Sequence, residues 1–330
     1  MAAMNLIAGD IGGTKSGLAW VRGDAASPRF ERVYASAAFA SADDLLRQFI
    51  ADAGETAPPE RFLLAVPGPV DTQRSRLTNL DWTVDAAALG QRFGGAAVRL
   101  VNDFEAAAAG VATLAPQEQL ALNPRPVERD AVRVVTGAGT GLGLAFVVGA
   151  GQASRIFPSE GGHSDFAPAD TRQMRLLDML RARYGHVSWE RVASGSGLDD
   201  LYRFCCTERG QDAGDTPIDG AALSKRAMAG DTAAEAALDF FVDLYAAWVG
   251  NVALLFQPRG GLYLAGGVSR HLRERLQAPR FMRAATDKGR MRGVVERTPI
   301  FLVTSERLGV AGAVTLGQLP SLRHSNSTSA

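Results

Sequence analysis

Residues Ile7–Val21 read I-A-G-D-I-G-G-T-K-S-G-L-A-W-V, and Val134–Val147 read V-V-T-G-A-G-T-G-L-G-L-A-F-V. Each is a short apolar run, a Gly-Thr-rich turn, and then Gly-Leu-Ala-aromatic-Val. The glycines permit the positive φ of a tight turn and the flanks favour strands, so each stretch reads as a strand–turn–strand hairpin. Two matching hairpins, each opening its own half of the chain, predict two related lobes facing one another.

The residues after each turn exclude the commoner glycine-rich phosphate motifs. Gly9–Ser16 is a near miss to the P-loop pattern, with Thr14 where the second glycine belongs. A P-loop must open a helix whose N-terminus faces phosphate, whereas Gly17-Leu-Ala-Trp-Val continues as a strand. Gly137–Gly143 misses the G-x-G-x-x-G spacing and also runs into a strand. A glycine hairpin still suits phosphate, because its backbone N–H groups point outward with no side chain in the way. Thr14 and Thr140 add hydroxyl donors, and Lys15 adds charge or is simply solvated. Asp10 is placed to organise Mg²⁺ through water. An ordinary Gly-rich β-turn explains one such stretch better than it explains two that match.

Outward from the hairpins, strands alternate with helices, which predicts an α/β protein. Ser41-Ala-Asp-Asp44 starts a helix followed by Leu45, Leu46, Phe49 and Ile50. Phe62–Val66 and Val98–Val101 read as strands, the second running into Asn102-Asp103 and an Ala-rich helix. Pro116–Asp130 is looser and reads as a join between lobes. Helices are predicted at Arg172–Tyr184, Asp231–Phe256 and Gly309–Leu316, and strands at Leu262–Ala265 and Phe301–Val303.

The 330 residues exceed what one core supports, and 46% are apolar. Lys plus Arg and Asp plus Glu number 35 each with no basic block, which argues against a nucleic-acid partner. No apolar run approaches membrane-spanning length, and the first residues lack the marks of a signal peptide. Only Cys205 and Cys206 are present, and neighbours cannot staple distant segments, so a reducing cytoplasm is expected.

Several polar residues stand where chemistry is expected. Asp103, directly after a strand, suits a general base for a substrate hydroxyl, or a helix N-cap for a helix beginning at Phe104. Glu160-Gly-Gly-His163 is a loop. With Asp165 it hints at a metal site, but the glycines and the want of a second nearby histidine favour hydrogen bonding to hydroxyls. Glu190 sits in a short helix that Ser188 can cap, and reads alone as a solvated helix residue. Gly266-Gly267 ends a strand against which a flat adenine or ribose can lie.

In this order the motifs resemble the bacterial glucokinase family, within the hexokinase–actin–heat-shock ATPase superfamily. The stretches are G-D-I-G-G-T (Gly9–Thr14), L-T-N-L-D-W (Leu77–Trp82), V-N-D-F (Val101–Phe104), G-A-G-T-G-L-G (Gly137–Gly143) and E-G-G-H-S-D-F-A-P (Glu160–Pro168). G-H-V-S-W-E-R-V-A-S-G (Gly185–Gly195), L-A-G-G-V (Leu264–Val268) and D-K-G-R (Asp287–Arg290) continue the match.

The resemblance implies a two-lobed actin-like ATPase (ribonuclease H-like) fold with a ligand cleft between lobes. Residues 1–112 with 309–330 would form the smaller lobe and 113–308 the larger. It implies phosphorylation of D-glucose at the 6-hydroxyl by MgATP, the first step of glycolysis, in a homodimer. Asp103 would be the base, and Asn79, Asn102, Asp103, Glu160, His163 and Glu190 would bind the sugar. Gly9, Asp10, Ile11, Gly12, Gly13, Thr14, Gly137, Gly139, Thr140 and Gly141 would lie near the ATP phosphates, and Gly266 and Gly267 near adenosine. Lobe closure would exclude water.

The nearest rival is the ROK kinase and repressor family, including its hexose and N-acetylhexosamine kinases, which has similar hairpins. Its cysteine-rich zinc motif is missing after His163, where the chain continues Ser-Asp-Phe-Ala-Pro. A non-kinase ATPase of the superfamily would leave Asn102, Asp103, Glu160, His163 and Glu190 unexplained as a set.

Overall fold

The computed structural model describes residues 4–319 apart from 24, 26, 78, 79, 150, 152 and 153. The chain forms two compact units, one running to Pro116 and resuming at Ser305, the other spanning Gln117–Thr304.

In the first unit, strands β1 (Asn5–Ile11), β2 (Lys15–Arg22), β3 (Phe30–Ala35), β4 (Arg61–Val66) and β7 (Ala97–Asn102) make a sheet in the order β3-β2-β1-β4-β7. β1 pairs antiparallel with β2 and parallel with β4, and β4 is parallel to β7. Strands β5 (Arg74–Leu77) and β6 (Trp82–Asp85) form a separate hairpin. Helix α1 (Ala42–Ala53) begins at Ser41, whose side chain accepts the Asp44 N–H, and ends at Gly54 in the left-handed region. Its Leu45, Leu46 and Phe49 are buried with Ile7, Leu18, Trp20, Phe62 and Leu64. Burial of each such side chain contributes about 1.5–3 kcal/mol, which holds helix to sheet. Helix α2 (Ala86–Arg92) leads into β7, and α3 (Asp103–Gly110) leaves it.

At the open side of β7, Gln73 uses its side-chain amide as if it were a strand. Its Nε2 donates to the Leu100 carbonyl at 3.3 Å, and its Oε1 accepts the Leu100 N–H at 2.8 Å.

The second unit carries strands β8 (Gln119–Asn123), β9 (Arg133–Ala138), β10 (Leu142–Val148), β11 (Arg155–Ser159), β12 (Leu262–Ala265) and β13 (Ile300–Val303), ordered β11-β10-β9-β12-β13-β8. Three antiparallel strands followed by two parallel ones repeat the first sheet, with β9 and β10 in the places of β1 and β2. The sequence repeat is thus a topological one. β8 falls in the stretch read as a loose join; it pairs antiparallel with β13 and so belongs to the sheet.

The helices of this unit are α4 (Thr171–Tyr184), α5 (Glu190–Ala193), α6 (Leu198–Glu208), α7 (Gly220–Met228), α8 (Thr232–Phe256), α9 (Gly267–His271), α10 (Arg273–Gln277), α11 (Pro279–Ala285) and α12 (Arg292–Glu296). Against the reading that no apolar run approaches membrane-spanning length, α8 alone among the described residues is long and apolar enough to cross a membrane. It instead buries Phe241, Leu244, Tyr245, Trp248 and Val252 in the core of the unit. The chain returns to the first unit as α13 (Leu308–Gln318), which packs against α3. There the glycines Gly110 and Gly312 bring the two backbones together, and a methyl on Gly312 would run into the Ala106 carbonyl.

Candidate active site

In the first unit the tip of the β1–β2 hairpin, Gly12-Gly13-Thr14, is braced from behind. Gly12 N–H donates to the Lys15 carbonyl at 3.1 Å, and the Thr14 carbonyl accepts the Ser36 N–H at 3.0 Å. The Ser36 hydroxyl donates to the Gly12 carbonyl at 2.7 Å and meets the buried Ser16 hydroxyl at 2.9 Å. The Gly12 and Thr14 carbonyls are therefore occupied. Among the described residues the Gly13 and Thr14 amides have no protein acceptor.

Not every residue of the motif faces outward. Ile11 is fully buried, and Gly9 lies mid-strand, where a side chain would meet Leu18 at 2.5 Å. These two give the hairpin its packing and have only backbone to offer a ligand. Lys15 is exposed. Asp10, the penultimate residue of β1, stands opposite Gly17, and the start of α13 lies on it: a methyl at Gly309 would overlap its carboxylate.

Asn102 and Asp103 divide their duties differently from the expected N-cap. The cap is Asn102, whose Oδ1 accepts from Phe104 N–H at 2.9 Å and Glu105 N–H at 3.3 Å, while its Nδ2 donates to Gly68 O at 3.0 Å. A single Nδ2–H is what that side chain retains for a ligand. Asp103 is the first residue of α3, and its Oδ1 also accepts the Phe104 N–H at 2.9 Å. Glu105, half-buried and 3.3 Å from Arg99, has its carboxyl pushed up by burial, against the pull of that guanidinium. Asn79 lies outside the described residues.

The second unit assembles the remaining candidates. The Glu160–His163 loop and the approach to α5 are sewn together by Phe166 N–H to Val187 O and Trp189 N–H to Ser164 O, both at 3.0 Å. This brings Glu160 Oε2 and Glu190 Oε2 each to 3.9 Å from His163 Nε2. Those separations exceed hydrogen-bond length and leave the ring facing two carboxylates. Glu160 and His163 are more than half exposed, at 53% and 59% of their side chains, so the set is open to a ligand from solvent.

Glu190 departs from the solvated-helix reading. Its side chain is 25% exposed and its Oε2 accepts the Leu142 N–H at 2.9 Å at the start of β10. Ser188 makes no side-chain cap; α5 begins at Glu190 itself. Beneath the loops, Trp189 meets Phe166 edge-on at 5.1 Å and Trp248 at 5.9 Å, and the Trp248 Nε1–H donates to Thr136 Oγ1 at 3.0 Å.

The second hairpin tip, Gly139-Thr140-Gly141, repeats the bracing of the first. The Gly139 carbonyl accepts the Gly195 N–H at 2.8 Å and the Thr140 carbonyl accepts the Ser196 N–H at 3.2 Å. The Thr140 and Gly141 amides have no protein acceptor among the described residues. Ser194, fully buried, donates to Glu190 O at 2.7 Å and meets the Ser196 hydroxyl at 2.8 Å, tying this strap to α5. Gly137 sits within the sheet against the Ala265 carbonyl, as Gly9 does against Leu18. Gly266, with φ of 94°, turns the chain at the end of β12 against Ala138 O and opens α9 at Gly267. That adjoins the glycine pair to the hairpin. Ser36 and Ser196 lie outside the quoted motifs and Ser194 is an unremarked member of Gly185–Gly195; all three serve the site only through the backbone they hold, so sequence reasoning misses their role.

Twin glycine hairpins, each in its own copy of one sheet topology, are the arrangement of the actin-like ATPase fold. A family model described as Glucokinase matches residues 7–319. The chain belongs to the glucokinase family. It is 36% identical to a glucokinase of Synechocystis sp., over 95% of this chain and 98% of that one. The crystal structure of a glucokinase from an Antarctic psychrotroph superposes with a TM-score of 0.80 at 30% identity, covering 95% of this chain and 98% of the other. A ROK family glucokinase from Streptomyces griseus, solved with glucose and AMPPNP, shares the fold at a TM-score of 0.65 and 22% identity, covering 95% of this chain and 99% of that chain.

Proposed function

We propose that the chain transfers the γ-phosphoryl group of MgATP to the 6-hydroxyl of D-glucose. The observation that supports this most is the convergence of Glu160 and Glu190 on His163. Two carboxylates accept hydroxyl protons and an imidazole does either, so the set suits a polyol rather than an apolar or anionic ligand. At 3.9 Å from the ring, each carboxylate leaves room for a hydroxyl oxygen to bond both partners.

The rest of the site fits the same chemistry. Taken unit by unit, the tip amides of Gly13 and Thr14 in the first and of Thr140 and Gly141 in the second suit phosphate oxygens, and Gly266-Gly267 in the second suits adenosine. A Mg²⁺ ion brought by the nucleotide would be met, through water, by Asp10, and would offset the charge of the phosphates. Asp103 takes the proton from the attacking hydroxyl, which contributes about 10²–10⁴-fold. Fixed amides and in-line placement supply the remainder. Within this proposal the enzyme is a homodimer, as the family resemblance implies, and cytoplasmic, as its two adjacent cysteines suggest.

The test is ADP release from MgATP with glucose, mannose, fructose and N-acetylglucosamine in turn. Glucose-dependent release is expected; release indifferent to every sugar would move the chain to an ATPase role. Glu190→Gln should raise the glucose KM about 10–100-fold, the worth of one or two hydrogen bonds to a charged acceptor, with the melting temperature little changed. A KM at the wild-type value would remove Glu190 from the sugar site.

A further inference from the structure

We propose that Gly309, in the first turn of α13, is a positioning residue for phosphoryl transfer, and that its missing side chain is what allows the Asp10 carboxylate to hold its place. This rests on reading Asp10 as a group that serves the nucleotide.

Two contacts put the first turn of α13 on the first hairpin. A methyl on Gly309 would overlap Asp10 Oδ2, with Asp10 Cγ at 2.6 Å and Cβ at 3.1 Å. The next residue, Val310, presses its Cγ2 where a side chain on Gly17 would be, at 2.8 Å. Asp10 and Gly17 are partners across the β1–β2 ladder. The helix thus straddles one cross-strand pair, with Gly309 on the acidic member and Val310 on the glycine. The N-terminal end of a helix is also the favourable end for a carboxylate.

The obstacle at Gly309 is mainly the Asp10 carboxylate, with its Cβ in close contact at 3.1 Å behind it, whereas at Gly312 it is the backbone carbonyl of Ala106. A carboxylate can rotate away and a carbonyl cannot. Gly309 lies within the span of α13, where alanine is the better helix former. An added methyl should therefore leave the helix in place and turn Asp10 out of position.

The experiment is a cycle of Gly309→Ala, Asp10→Ala and the double variant, with kcat, KM for MgATP and for glucose, melting temperature, and calorimetric binding of MgATP. Gly309→Ala is expected to lower kcat about 10–100-fold, the scale of an ångström-sized misplacement. MgATP binding should weaken with it, while the glucose KM and the melting temperature stay near wild type. On the Asp10→Ala background the same substitution should change kcat by less than about twofold, because the group it acts through is gone.

Wild-type kcat in Gly309→Ala overturns the proposal, and so does a loss that recurs in full without Asp10. A melting temperature lowered by more than about 5 °C also overturns it, since the methyl would then be moving the helix. Wild-type turnover in Asp10→Ala is a different failure: it removes the role of Asp10, and the proposal with it.

Discussion

Asp103→Asn is expected to lower kcat for glucose phosphorylation by about 10²–10⁴-fold, with the glucose KM and melting temperature close to wild type. The structure makes this substitution unusually clean. Asn102 holds the N-cap of α3, so the helix does not depend on Asp103 for its start. The bond from the Phe104 N–H to Asp103 Oδ1 survives because Asn keeps that acceptor. What is lost is the ability to take a proton. Steady-state kinetics with calorimetric glucose binding separates the two effects, and turnover within twofold of wild type would mean that the base lies elsewhere.

Gly312→Ala should have the largest effect on stability. The added methyl points into the Ala106 carbonyl and comes within 2.8 Å of the Gly110 amide nitrogen, so α3 and α13 must move apart. Overpacking of this kind costs about 1–3 kcal/mol, a fall of roughly 3–8 °C in melting temperature for a unit of this size. Because Asp103 opens α3, kcat should fall as well. Thr315→Ala on the same helix, which loses only the 2.9 Å bond to Ala311 O, is the control and should shift melting by less than half as much. Equal melting of Gly312→Ala and wild type would show that the crossing has slack.

How much of the fold and site is legible in the sequence depends on the kind of constraint. The hairpins are legible because a tight turn with outward amides demands Gly and Thr in a fixed order, and because a P-loop must lead into a helix, never a strand. Asn102 and Asp103 are half legible. Caps and catalytic bases draw on the same residue types at the same strand–helix junction, and which of two neighbours takes the cap is decided by backbone geometry. Glu190 looks like any helix carboxylate, since its partner, the Leu142 amide, is 48 residues away. Ser36 and Gly309 leave no local sign at all, and Ser194 shows only as part of the Gly185–Gly195 stretch, with nothing to mark its role. They act on backbone or on a side chain far along the chain, where no spacing rule reaches.

The side chain of Gln73 has a consequence of another kind. β7 is the last strand of its sheet, and a bare strand edge invites a strand from another molecule. By taking both the N–H and the C=O of Leu100 in the middle of that edge, the Gln73 amide removes the pair of groups an incoming strand would need. The β7 edge of the first sheet is thereby blocked at its middle against pairing with a strand from another molecule, the kind of guard that disfavours edge-to-edge association of concentrated chains.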